Sequence, residues 1–112
     1  MEELIQKLRV FAHERDWGKF HSPKNLAIAL AVEAAELLEE FQWLTDEQSR
    51  QPDKERLNRI KDEIGDVMIY LVLLSDHLGV DPLTSALEKI EKNRKKYPKD
   101  KAKGSAKKYT EL

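Results

Sequence analysis

Residues 53–79 read DKERLNRIKDEIGDVMIYLVLLSDHLG, and their spacing decides the fold. Leu57, Ile60, Ile64, Val67, Leu71, Leu74 and Leu78 recur at three- and four-residue intervals, the period of an amphipathic helix. Asp53 stands where an N-cap side chain accepts hydrogen bonds from the first turn. Gly79 stands where a left-handed residue closes a helix. Two acids, Glu63 and Asp66, lie on the border of this apolar stripe.

The same arrangement occurs upstream. Ser22-Pro23 reads as an N-cap followed by proline at the first helical position, opening a helix to about Trp43. Its stripe is Leu26, Leu30, Leu37, Phe41 and Leu44, and it carries Glu33 and Glu36. At roughly 100° per residue, each acidic pair is split by about 60° on its wheel, at the edge of the buried face. Antiparallel packing through the two stripes brings the four carboxylates together.

Two further helices complete the chain. The first spans 2–16, with Leu4, Ile5, Leu8, Phe11 and Ala12 on one face and Gly18 as a stop. Asp81-Pro82 opens the last, with Leu83, Ala86, Leu87, Ile90 and Tyr97 inward and Pro98 ending it. Residues 45–52 form a polar connection with room for one short helical turn. There is no strand pattern. The expectation is an all-α four-helix bundle over 1–98 and a basic tail over 99–112, mobile unless a partner chain or ligand orders it.

A chain of 112 residues supports one modest core. With 37% charged and 40% hydrophobic residues, it suits a helical domain whose core is completed by oligomerisation. The net charge of -1 gives no bulk attraction to nucleic acid or membrane. The charge is segregated, however: residues 89–108 hold ten Lys/Arg against two acids. There is no cysteine, which suits a reducing cytoplasm. The longest apolar run, Val67–Leu74, is far short of the roughly 20 residues a spanning helix needs.

Carboxylates beside apolar stripes need a partner or a metal. Four convergent oxygen ligands suit Mg²⁺, which keeps several waters and so leaves room for phosphates. A single Glu-x-x-Glu is far more often an exposed acid with lysine neighbours; two such pairs on neighbouring helices carry more weight. A di-iron bundle requires Glu-x-x-His, and none of His13, His21 and His77 follows a Glu by three residues. Zinc sites and Gly-rich phosphate loops are unsupported. A second constellation is aromatic and polar: Trp17, Phe20, His21, Asn25, Trp43 and Tyr70. Aromatic faces beside a metal-phosphate site are what base stacking requires; plugging the bundle ends is the plainer role. A third is Asn93-Arg94-Lys95-Lys96, able either to neutralise a triphosphate or to match the helix dipole.

Glu33-Ala-Ala-Glu36 followed by Glu63-Ile-Gly-Asp66 resembles the signature of the all-α nucleoside triphosphate pyrophosphohydrolases, the MazG-like superfamily. The stretches Arg15-Asp-Trp-Gly-Lys-Phe-His-Ser-Pro, Glu40-Phe-Gln-Trp, Asn93-Arg-Lys-Lys-Tyr-Pro and the terminal Lys107-Lys-Tyr-Thr-Glu-Leu resemble its dCTP pyrophosphatase branch. The resemblance implies Mg²⁺-dependent hydrolysis of a nucleoside triphosphate to monophosphate and pyrophosphate, as nucleotide-pool housecleaning. It assigns metal binding to Glu33, Glu36, Glu63 and Asp66, and the nucleotide pocket to Trp17, His21, Trp43, Tyr70 and Asn93. Arg94 and Lys96 would hold the departing phosphates, and Glu40 would be the spare carboxylate that orients water. Leu8 takes a position often filled by His in vertebrate members, a departure that bears on base preference. Dimers or tetramers with shared sites are implied. Hydrolysis of another pyrophosphate bond, such as that of phosphoribosyl-ATP, and a non-catalytic nucleotide-binding oligomer are the alternatives.

Overall fold

The computed structural model describes residues 1–111. The last residue of the expected tail, Leu112, lies outside the described residues. Four long helices form: α1 (Glu2–Glu14), α2 (Pro23–Glu39), α4 (Lys54–His77) and α5 (Pro82–Lys96). The connection between α2 and α4 holds a single turn, α3 (Asp46–Arg50), closed by a reciprocal capping box between Thr45 and Gln48. A second short helix, α6 (Lys99–Ala102), begins the basic tail. Among the described residues there is no strand, and no single helix is long and apolar enough to cross a membrane.

The caps follow the sequence closely. Ser22 accepts from the Asn25 amide at 3.1 Å, and Asp53 accepts from that of Arg56 at 2.8 Å. Asp81 accepts from the Leu83 and Thr84 amides. Gly79 closes α4 at φ 67°, and the Val80 amide reaches back to the Ser75 carbonyl at 2.8 Å.

Two boundaries differ from expectation. Helix α1 ends at Glu14 because Asp16, not Gly18, takes the left-handed conformation, at φ 53°. An aspartate tolerates that region when its helix closes on it. Here the Trp17 amide bonds the Ala12 carbonyl at 2.9 Å, and the Asp16 amide bonds that of His13 at 3.1 Å. Gly18 instead starts a 3₁₀ turn, Gly18–Phe20. Helix α2 stops at Glu39, four residues before Trp43. The Arg56 guanidinium takes the Glu40 carbonyl, and the chain leaves the helix through tight turns at Phe41, Gln42 and Leu44.

Residues 1–80 and 81–111 form two compact units. In the first, α2 packs along α4, with α1 also on α4. Leu26 and Val72, each 1% exposed, centre the core with Leu8 and Leu73. Ile60 is buried further along α4. The one buried polar side chain among the described residues, Ser75, bonds the Leu71 carbonyl at 2.8 Å.

The α4 stripe divides in two. Ile60, Val67 and Leu74 turn inward, whereas Leu57, Ile64, Leu71 and Leu78 remain 38–57% exposed. On α2, Ile28, Val32 and Leu38 are likewise exposed. In the second unit, Leu83, Leu87 and Ile90 of α5 are exposed rather than inward. A single chain has too few elements to cover both faces of its helices, so these rows have no layer above them.

Truncating Leu26 leaves a cavity at the tightest point of the α2–α4 seam. Leu26→Ala should lower unfolding stability by about 2–5 kcal/mol, measured as a reduced urea midpoint at unchanged slope.

Candidate active site

Helices α2 and α4 run antiparallel. Leu26 near the start of α2 meets Val72 near the end of α4, while Glu40, just past α2, meets Arg56 and Arg59 in the first turns of α4. The acids lie between these ends. Glu33, Glu36 and Glu63 each direct a carboxylate oxygen into one group, all within 4.8 Å of one another. Glu33 Oε2 and Glu63 Oε2 are buried and have no hydrogen-bond partner.

Like charges so close oppose one another's ionisation. Burial is the main cause that lifts the Glu33 carboxyl to about 7, followed by the Glu36 hydrogen bond and the charges of Glu36, Asp66 and Glu63. Glu63 is raised for the same reasons, burial first and Glu36 next. The charge of Asp66 acts on both, but its carboxylate lies outside the tight group and lines a neighbouring cavity. Of the four expected acids, three therefore converge and the fourth borders them.

Glu40 is not a spare carboxylate. Arg59 Nε lies 3.1 and 3.0 Å from its two oxygens, and Arg56 adds a longer contact at 3.5 Å. Both arginines are sequence features whose role went unread. Their spacing from Glu63, four and seven residues, puts them on its side of α4, which was the available signal.

The neighbouring cavity holds about 240 Å³. Trp17, His21 and Tyr70 line it with Asp66, as expected, together with Leu8 and Phe11. Phe11, read from the sequence as core, stands edge-on to Trp17 with ring centroids 5.5 Å apart. Its other face carries the Arg15 guanidinium at 3.7 Å. The Schellman-type closure of α1 places Trp17 here.

Other expected residues lie elsewhere. The Asn25 amide donates to the Phe20 carbonyl at 3.1 Å, so it fastens the aromatic loop to the start of α2. Trp43 is 86% exposed in the turns after α2 and lines no part of this cavity. Asn93, Arg94 and Lys96 belong to α5 in the second unit, where Arg94 pairs with Glu91 at 3.2 Å.

The raised carboxyls make a signed expectation. Glu33 and Glu63 bind protons more tightly in the folded chain than in the unfolded one, so their contribution to stability falls as pH rises, for Glu33 from about 4.5 through about 7. Without divalent cation, the melting temperature should therefore carry a component that declines over this window. Mg²⁺ should raise it more at pH 7.5 than at pH 5, by differential scanning fluorimetry. An equal Mg²⁺ effect at both values would show that these acids are not where the ion acts.

The sequence model of the MazG-like family matches residues 28–112. Mouse dCTP pyrophosphatase 1 is 42% identical over 115 residues, covering 100% of this chain and 67% of its own length. Human dCTP pyrophosphatase 1 is 41% identical with the same coverage. The crystal structure of a pyrophosphatase from Archaeoglobus fulgidus superposes with a TM-score of 0.83 at 43% identity, over 88% of this chain and 92% of that one. In sequence and in fold alike, this chain belongs to the MazG-like family.

Proposed function

We propose that this protein is a divalent-metal-dependent nucleoside triphosphate pyrophosphohydrolase that converts dCTP, or a modified pyrimidine deoxynucleotide, to its monophosphate and pyrophosphate. The observation that carries the metal requirement is the pair of buried, unpartnered oxygens on Glu33 and Glu63, in one group with Glu36. The donors are all carboxylate oxygens, the set that Mg²⁺ accepts. Three carboxylates gathered within 4.8 Å fit a resident dication.

Glu33, Glu36 and Glu63 would hold Mg²⁺, with Asp66 completing the set from one turn along α4. When bound, Mg²⁺ would neutralise charge on the triphosphate and favour hydrolytic attack at the α-phosphorus. The chain's own residues do the rest. Trp17 and Tyr70 wall a cavity adjoining the acids, so a base seated there keeps its phosphates over the carboxylates. Leu8 adds an apolar surface on the α1 side of that cavity. The Glu40 clamp to Arg59 and Arg56 fixes the far end of the α2–α4 seam, a supporting role in place of water orientation.

The assembly is a homodimer or homotetramer in this reading. The exposed apolar residues of α2 and α4, and separately those of α5, support it, since uncovered apolar rows suit an interface. Trp43 and the α5 residues Asn93, Arg94 and Lys96 would serve the site within that assembly. A cytoplasmic place, among the nucleotide pool, suits the absence of cysteine.

A panel of common and C5-modified deoxynucleotides, with phosphoribosyl-ATP included, tests the activity. With Mg²⁺ present, dCTP should yield dCMP and pyrophosphate; no monophosphate from any nucleotide would overturn the proposal. Glu63→Gln should lower kcat by about 100-fold or more, as loss of several kcal/mol of metal stabilisation requires, with its circular dichroism unchanged.

A further inference from the structure

The chain's three histidines, His13, His21 and His77, line one cavity, a second space of about 240 Å³. Arg9, Asp16 and Asp76 share it. His21 also lines the aromatic cavity, so its ring is part of the partition between the two. An edge-to-face series of rings crosses that partition. Trp17 and His21 have centroids 6.2 Å apart at 67°, and His21 and His77 are 6.4 Å apart at 76°.

His77 is well placed to hold the far end of this series. It is the last residue of α4, and the closure through Gly79 and Val80 sets its position. Its neighbour Asp76 is bound by Arg9 through two contacts of 2.6 and 2.9 Å, tying the end of α4 to α1.

We propose that His77 is a positioning residue for His21, holding its ring edge-on in the partition so that the aromatic pocket presents its imidazole to a nucleotide base. This rests on the nucleotide-pocket reading above. A neutral imidazole carries one N–H and one lone pair, whereas the protonated ring has two donors and no acceptor.

The groups that face His21 are Arg9 and His13 from α1, Asp16 from the loop, and Asp66, Tyr70, Asp76 and His77 from α4. Arg9 and Asp76 offset each other, and Asp16 pairs with Lys19 at 3.0 Å. Of these groups, His77 is the one in ring contact with His21. Burial, and then the charge of His77, keep the His21 ring below the ordinary imidazole range.

The test combines an NMR pH titration of His21 with KM and kcat for the best nucleotide between pH 5.5 and 8.5. Wild type is compared with His77→Leu, His77→Phe and the polar His77→Gln, whose folding is checked by circular dichroism. All three variants should move the His21 midpoint to higher pH. His77→Leu should raise KM about three- to ten-fold with little change in kcat, the size of one lost edge-to-face contact. His77→Phe should restore KM near neutral pH while keeping the shifted midpoint. An unmoved His21 midpoint, or an unchanged KM in His77→Leu, overturns the proposal. A wild type that hydrolyses no nucleotide would instead refute the activity, and the His21 midpoints would still decide the coupling.

Discussion

Everything about this chain turns on three carboxylates brought to one place by two packed helices. Glu33, Glu36 and Glu63 sit midway along a helix pair secured at both ends. At one end Leu26 and Val72 are packed to near-complete burial; at the other Glu40 is bound by two arginines. Two of the carboxylate oxygens, Glu33 Oε2 and Glu63 Oε2, are buried and unsatisfied. A buried polar atom without a partner is costly, and this site keeps two. Ligands held in position before binding need no rearrangement to accept a dication.

The same helix pair sets the relation between the acids and the aromatic cavity. Asp66 belongs to both: its charge reaches Glu33 and Glu63, and it lines the space beside Trp17 and Tyr70. Its position one turn beyond Glu63 makes this geometry a property of the helix rather than of a loop. The loop contributes the rings, and it is itself constrained by the closure of α1 at Asp16 and by Asn25 at the start of α2. The acid group and the aromatic cavity are thus positioned by neighbouring turns of one helix.

Much of this was legible in the sequence, for identifiable reasons. Caps are local, so Ser22, Asp53, Gly79 and Asp81 marked their helix ends correctly. Wheel angles placed four acids together, of which Glu33, Glu36 and Glu63 converge and Asp66 lies one turn aside. What could not be read depended on tertiary partners. Arg56 ends α2 early by taking the Glu40 carbonyl, a contact between residues sixteen apart. Asp16 displaced Gly18 as the stop because Ala12 and His13 carbonyls were available to it. The α4 stripe is regular along its whole length, yet only Ile60, Val67 and Leu74 of it turn inward. Periodicity identifies an apolar row; it does not say whether the covering layer comes from the same chain.

The central claim is that the Glu33, Glu36 and Glu63 carboxylates are the seat of a divalent cation. The most direct measurement is anomalous diffraction from crystals grown with Mn²⁺, which substitutes for Mg²⁺ at oxygen sites. An anomalous peak within coordination distance of all three carboxylates, lost in Glu63→Gln crystals, is the result this account requires. Ordered carboxylates with no peak between them, or a peak confined to other residues, would contradict it.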